Sequence, residues 1–162
     1  MIQYGLEFND GAGSTIETAL APLANTRTAT FNLAPCTGIQ VHYHTNHELF
    51  QPIKGGLTVG VVNQTNVWRV FNVSAGQLLE IPAGDIHYML NSGCSGAILV
   101  GTWPLETNTT FLLPALGAFP PEAQLMFGRS AFPAVQGTFP LIRDAACLAR
   151  CGAAAPAAGT AG

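Results

Sequence analysis

All four histidines of this chain lie in two short segments, Val41-His42-Tyr43-His44-Thr45-Asn46-His47-Glu48 and Pro82-Ala83-Gly84-Asp85-Ile86-His87. Residues two apart on a β-strand point to the same face, so His42 and His44 would present two imidazoles side by side. Glu48 shares their parity and can add a carboxylate oxygen, and His87 completes a set of three nitrogens and one oxygen. Such a set suits Fe(II), Ni(II), Cu(II) or Zn(II), and an ion that takes five or six ligands in all keeps positions open for oxygen or a bidentate acid. His47 has the opposite parity and is read as a rim or surface residue. Glu80 is read as an outward strand residue and Asp85 as a turn residue.

These residues need strands to hold them, and the sequence offers eight short β-type runs at 28–33, 39–44, 49–53, 57–62, 67–73, 77–81, 87–90 and 97–103. Eight short strands spaced about ten residues apart mean an antiparallel sandwich or barrel. Gly55-Gly56 has the chemistry of a tight hairpin, and Pro82-Ala83-Gly84 stops the strand before it. After Pro104 the pattern changes, and 120–127 and 141–150 read as short helices between Gly and Pro breaks. The expected layout is an N-terminal extension over 1–26, an all-β core over 27–104 and a helical extension over 105–151. A low-complexity tail over 152–162, rich in Gly and Ala, is expected to be disordered.

Composition narrows the function further. A chain of 162 residues with 48% hydrophobic and 9% charged residues is one well-buried domain. Six Lys and Arg residues spread thinly under a net charge of −3 leave no patch for a run of phosphates, so nucleic acid is not an expected partner. No apolar run is long enough to span a bilayer as a helix, and no membrane partner is expected. The first ten residues lack the basic and apolar regions of a signal peptide, while sequons at Asn63, Asn72 and Asn108 would suit a secreted protein.

The two histidine segments together resemble the paired motifs of germins, members of the cupin superfamily. His42, His44, Glu48 and Gly55 match the first motif in order and spacing. Gly76, Pro82, Gly84, His87 and Asn91 match the second. The first motif departs only at its front, where Cys36 stands in place of a glycine. The resemblance runs more weakly from about Thr28 to Trp103. It implies a double-stranded β-helix, the jelly-roll barrel of cupins, with short C-terminal helices and a metal ion, usually manganese (Mn2+), held inside on His42, His44, Glu48 and His87. It also implies an extracellular or secretory lineage, a small-molecule substrate or oxygen species, and a homo-oligomer, trimer or hexamer. The expected activity is oxidoreductase chemistry such as superoxide dismutation, and the alternative is a non-enzymatic, metal-stabilised wall or storage protein. Oxalate oxidation is less expected, because Ile39 stands where the oxalate-oxidising germins carry Asn.

A string such as His42 to His47 is also similar to the zinc motif of metallo-β-lactamase-type hydrolases, but that family needs further histidines and only His87 remains. No Gly-x-Ser-x-Gly elbow is present for a serine hydrolase.

The four cysteines carry a separate expectation. If the two motif strands pair antiparallel with His42 or His44 facing His87, opposed residue numbers sum to between 129 and 131. Cys36 and Cys94 sum to 130, so a Cys36–Cys94 disulfide is expected, leaving Cys147 and Cys151 free or meeting another chain. The apolar residues of the C-terminal part, from Phe111 to Leu148, are expected to need a neighbouring subunit.

Overall fold

The computed structural model describes residues 3–9, 13–21, 24–111 and 141–152. Twelve strands and one short helix are assigned among them: β1 Gln3–Asn9, β2 Thr15–Ala21, β3 Thr26–Leu33, β4 Thr37–His44, β5 Glu48–Lys54, β6 Gly56–Val62, β7 Trp68–Ser74, β8 Leu79–Ile81, β9 Ile86–Leu90, β10 Ala97–Pro104, β11 Thr109–Phe111, β12 Leu141–Arg143 and α1 Ala145–Arg150. They form two antiparallel sheets, ordered β1-β2-β3-β10-β5-β8 and β11-β4-β9-β6-β7, with β12 also on β4. This is the expected jelly-roll barrel. The eight expected strands all form, and residues in the stretch read as an N-terminal extension add β1 and β2 to the first sheet.

Period-two patterning explains which residues fill the space between the sheets. β10 alternates buried and half-buried residues along its length, turning Ala97, Leu99, Gly101 and Trp103 inward. β3 does the same with Ala29, Phe31 and Leu33. With Ile39, Phe50, Val59, Ile81 and Met89 these make one apolar core. Burying each larger member contributes about 1.5 to 3 kcal/mol. A smaller cluster of Val41, Val62, Tyr88, Leu90 and Ile142 forms separately.

β4 is irregular where it matters most. Gly38 pairs with Leu90 and Ile39 with Met89, but the register shifts before His42 pairs with His87. A bulge of this kind changes side-chain parity, so Ile39 and His42 are both opposite inward residues although three positions separate them.

Two expectations about the C-terminal part are corrected. Leu141–Arg143 is a strand, not the start of a helix, because the edge of β4 from Thr37 to Ile39 offers it ladder partners and its Leu141 and Ile142 side chains become buried there. The helix begins only at Ala145, where the carboxylate of Asp144 accepts from the Ala146 and Cys147 amides at 2.9 and 3.0 Å. Leu141 and Ile142 are covered by their own chain, so they need no partner subunit. The helix expected over 120–127, the apolar residues from Leu112 to Phe139 and the tail beyond 152 lie outside the described residues.

The expected Cys36–Cys94 disulfide is also corrected. The bonds are Cys36–Cys147 and Cys94–Cys151, and no cysteine is free. The register sum failed for two reasons. The β4 bulge moves the Cys36 end of the ladder off the extrapolated pairing, and β9 ends at Leu90, after which Asn91 holds a loop through bonds to the carbonyls of Leu33, Ala34 and Ser95. Cys36 itself sits before β4 with a positive φ of 58°. The vacant place beside it is taken by α1, whose N-cap amide at Asp144 donates to the Cys36 carbonyl at 2.9 Å.

Candidate metal centre

β4 carries His42 and His44, the first residue of β5 is Glu48, and β9 supplies His87 directly opposite His42. One nitrogen or oxygen from each of these four side chains lies within 4.8 Å of the others. All four are nearly removed from solvent, with exposures of 3%, 5%, 2% and 0%. The imidazole centroids stand 4.1 to 5.4 Å apart. So many ionisable groups stay buried together only if their charges and lone pairs are satisfied by one another or by a cation.

Neighbouring groups decide which nitrogen each ring turns inward. His42 Nδ1 donates to the Gln40 carbonyl at 2.6 Å, and His87 Nδ1 donates to the Asp85 carbonyl at 3.0 Å. A neutral ring that donates through Nδ1 has only a lone pair left on Nε2. At His87 that nitrogen faces Glu48 Oε2 at 3.1 Å, an arrangement of two acceptors that needs a cation or a proton between them. His44 is held through Nδ1 by the Thr109 hydroxyl at 2.9 Å, from β11. Its Nε2 is buried without a hydrogen-bond partner, although Glu48 Oε2 lies 3.3 Å away. Two nitrogens with inward lone pairs, the buried Nε2 of His44 and one carboxylate around a dry centre fit a divalent metal, with the outer partners fixing ring orientation.

Two residues not singled out in the sequence shape this centre. A Cβ at Gly101 would come within 2.9 Å of Glu48 Oε1 and 2.6 Å of the Trp103 ring, so only glycine leaves room for the carboxylate. Trp103 stacks on His44 with centroids 5.3 Å apart. A lone glycine inside a strand pattern is a legible sign of close approach, whereas nothing local marks Thr109 as a partner of His44. His47 is 63% exposed and pairs with Glu80, itself 59% exposed, at 2.9 Å, so both stay out of the centre as expected. Asp85 does more than turn the chain, since it is buried and its carbonyl orients His87.

The chain matches the cupin family over residues 23–116. It is a cupin. Among curated proteins this cupin is 34% identical over 77 residues to germin-like protein subfamily 3 member 1 of Arabidopsis thaliana and 30% identical over 77 residues to germin-like protein 1 of Brassica napus. The matched stretch is 47% of this chain and 37% of each relative, so the cupin spans little more than a third of the proteins it resembles. Among solved structures it superposes on Lactobacillus farciminis oxalate decarboxylase in a formate complex with a TM-score of 0.62 at 22% identity, covering 72% of this chain and 36% of that one. Procruciferin, an 11S globulin of Brassica napus, gives 0.61 at 17% identity over 72% of this chain and 33% of that one. Vicilin of hazelnut, Corylus avellana, gives 0.57 at 18% identity over 68% and 32%. At these identities the likeness is one of fold.

The electrostatics of the cupin's centre predict how it responds to pH. Burial above all, then the neighbouring His87 and His44, pushes His42 well below its ordinary value of 6.5. Burial alone would raise Glu48, but the His44 and His87 imidazoles outweigh it and hold the carboxyl well below its ordinary 4.5. A histidine depressed in the fold is protonated first in the unfolded chain, so metal-free stability should fall as pH drops below about 6.5. Glu48 adds stability that is present above about 4.5 and is lost below it as pH approaches the folded value. Both effects run the same way. Thermal melts in chelator should be flat from about pH 7 to 9 and decline steadily from about 6.5 downward, and melts that rise on acidification would contradict this charge assignment.

Proposed function

We propose that this cupin holds one divalent metal on His42, His44, Glu48 and His87, manganese first among the candidates and Fe, Ni, Cu or Zn as alternatives. We further propose that it works as a metal-dependent oxidoreductase with superoxide dismutation as the leading reaction. The observation that carries this is the convergence of the four side chains at a buried centre, with the outer nitrogens of His42 and His87 donating to backbone carbonyls and that of His44 bonded to the Thr109 hydroxyl. When bound, the metal would supply an electron donor and acceptor able to alternate between two oxidation states. The chain's part is to turn three imidazoles inward, to balance charge with one carboxylate, and to exclude bulk water. The substrate would be a small molecule or oxygen species. Ile39 joins the apolar core beside the centre and offers no hydrogen bond to a dicarboxylate, which speaks against oxalate oxidation.

One feature supports a non-enzymatic alternative, a metal-stabilised wall or storage protein. The four residues are almost wholly buried, and none of them lines the groove of about 280 Å³ between β6, β7 and β8. A sealed ion would staple strands without turning anything over. Metal analysis of the purified protein, combined with superoxide and oxalate assays and water-proton relaxation of the manganese form, separates the two readings. Catalysis is expected to accompany an exchangeable water on manganese. A fully metallated protein that is inert and shows no such exchange would leave the structural role.

Two disulfides support an extracellular or secretory setting for the chain. Exposed Leu49, Ile53, Val67, Val70 and Leu78 favour a homo-oligomer, and the likeness to germins makes a trimer or hexamer the proposed form. Sedimentation equilibrium is expected to give a mass of three or six chains, and a single species near 16.9 kDa at micromolar concentration would defeat that assembly.

A further inference from the structure

The four cysteines meet at one place, where the entry to β4, the loop after β9 and helix α1 converge. Although they form two separate disulfides, the sulfurs of Cys36 and Cys151, which belong to different bonds, lie only 3.6 Å apart. One sulfur each from Cys36, Cys147 and Cys151 falls within 4.8 Å of the others, and Cys94 is bonded to Cys151. We propose that the same four side chains form a second metal site when reduced, binding one zinc ion as a tetrathiolate.

The geometry matches that chemistry. Zinc holds thiolates at about 2.3 Å in a tetrahedron, whose edges are therefore about 3.8 Å. The existing Cys36 to Cys151 separation already sits near that edge. Opening the two disulfides lets each bonded pair separate to the same distance by side-chain rotation, with Cα atoms 5.5 and 5.3 Å apart. Cys147 and Cys151 are four residues apart at the end of α1, so one helical turn supplies two ligands on one face.

The surroundings favour thiolates. The Arg150 guanidinium donates to the Ser92 carbonyl at 3.1 Å, and Cys147 Sγ lies 3.3 Å from the same oxygen, which places a cation close to the cluster. Cys36 and Cys147 are fully buried, whereas Cys94 is exposed and Cys151 half-buried. That gradient gives both reductant and metal a way in from the Cys94 side. The step balances: four electrons from a phosphine or dithiol reductant convert two disulfides to four thiols, and zinc then displaces four protons. Helix α1 is thereby anchored to the barrel in either redox state, by sulfur bonds when oxidised and by zinc when reduced.

Cobalt(II), which replaces zinc at thiolate sites and absorbs where zinc is silent, tests this directly. Whole protein kept reduced with a phosphine should take up one more equivalent of cobalt than oxidised protein and show sulfur-to-cobalt charge transfer in the near ultraviolet. That absorption should vanish when one equivalent of zinc is added. Ions held by the histidine centre give no sulfur charge transfer, so failure at either site can be told from failure at the other. Cys94→Ser, at the exposed end of the cluster, should weaken the extra cobalt at least tenfold. Equal uptake by reduced and oxidised protein, extra cobalt without sulfur charge transfer, or a reduced protein that unfolds and is not recovered by zinc would each overturn the proposal.

Discussion

Replacing His87 with alanine should empty the metal centre, lowering bound metal from about one ion per chain to under a tenth and weakening affinity at least about 100-fold. Mutating an outer partner of a ligand typically costs 10- to 100-fold, and His87 is an inner residue at the middle of the set. It contacts Glu48 Oε2 at 3.1 Å and its ring centroid lies 4.1 Å from that of His42, so its removal leaves a carboxylate and two imidazoles around a void. The position is fully buried on β9, and part of the loss will be stability. His87→Gln keeps most of the volume, and it should stay folded while still losing the ion. His47→Ala serves as a control, since His47 is exposed and pairs with exposed Glu80, and it should leave metal content unchanged. Equal metal content and affinity in His87→Gln and the parent chain would remove His87 from the site.

Breaking the Cys36–Cys147 bond should have the largest effect on stability. That bond spans 111 residues and Cys94–Cys151 spans 57. In the chain-entropy account, closing loops of these lengths removes about 4 to 5 kcal/mol of freedom from the unfolded chain. For a domain of this size each kcal/mol moves the melting temperature by about 2 to 4 °C. The double replacement Cys36→Ser and Cys147→Ser, made in oxidised protein without added metal, should therefore lower it by about 10 °C. Peptide mapping without reduction should recover the two linked pairs. Recovery of a Cys36–Cys94 peptide instead would restore the pairing that simple strand register suggests.

The contrast between these two predictions shows where local information ends. The candidate metal cluster was legible because its parts are local: His42 and His44 are two apart on one strand, Glu48 follows after a short turn, and the turn at Pro82 to Gly84 ends just before His87. Period-two alternation likewise marked the eight strands of the barrel, since burial on one face is written into neighbouring residues. Even there, the agreement in parity between Glu48 and the two histidines was not what placed it. The turn through Thr45 to His47 breaks the strand, and Glu48 faces inward because β5 buries it with Phe50.

What tertiary structure alone decided are the features that depend on pairing between distant segments. The bulge between Ile39 and His42 appears only when β4 is laid against β9, and it both brings His42 opposite His87 and spoils the register extrapolated to Cys36. Thr109 reaches His44 across 65 residues because β11 pairs with β4, and the Gly101 gap matters only once Glu48 stands above it. Leu141 to Arg143 became a strand for the same reason, because a free ladder edge outweighs the weak helical preference of three residues. The disulfides followed from that return, since β12 delivers α1 and its two cysteines to the one place where Cys36 and Cys94 were each still without a partner.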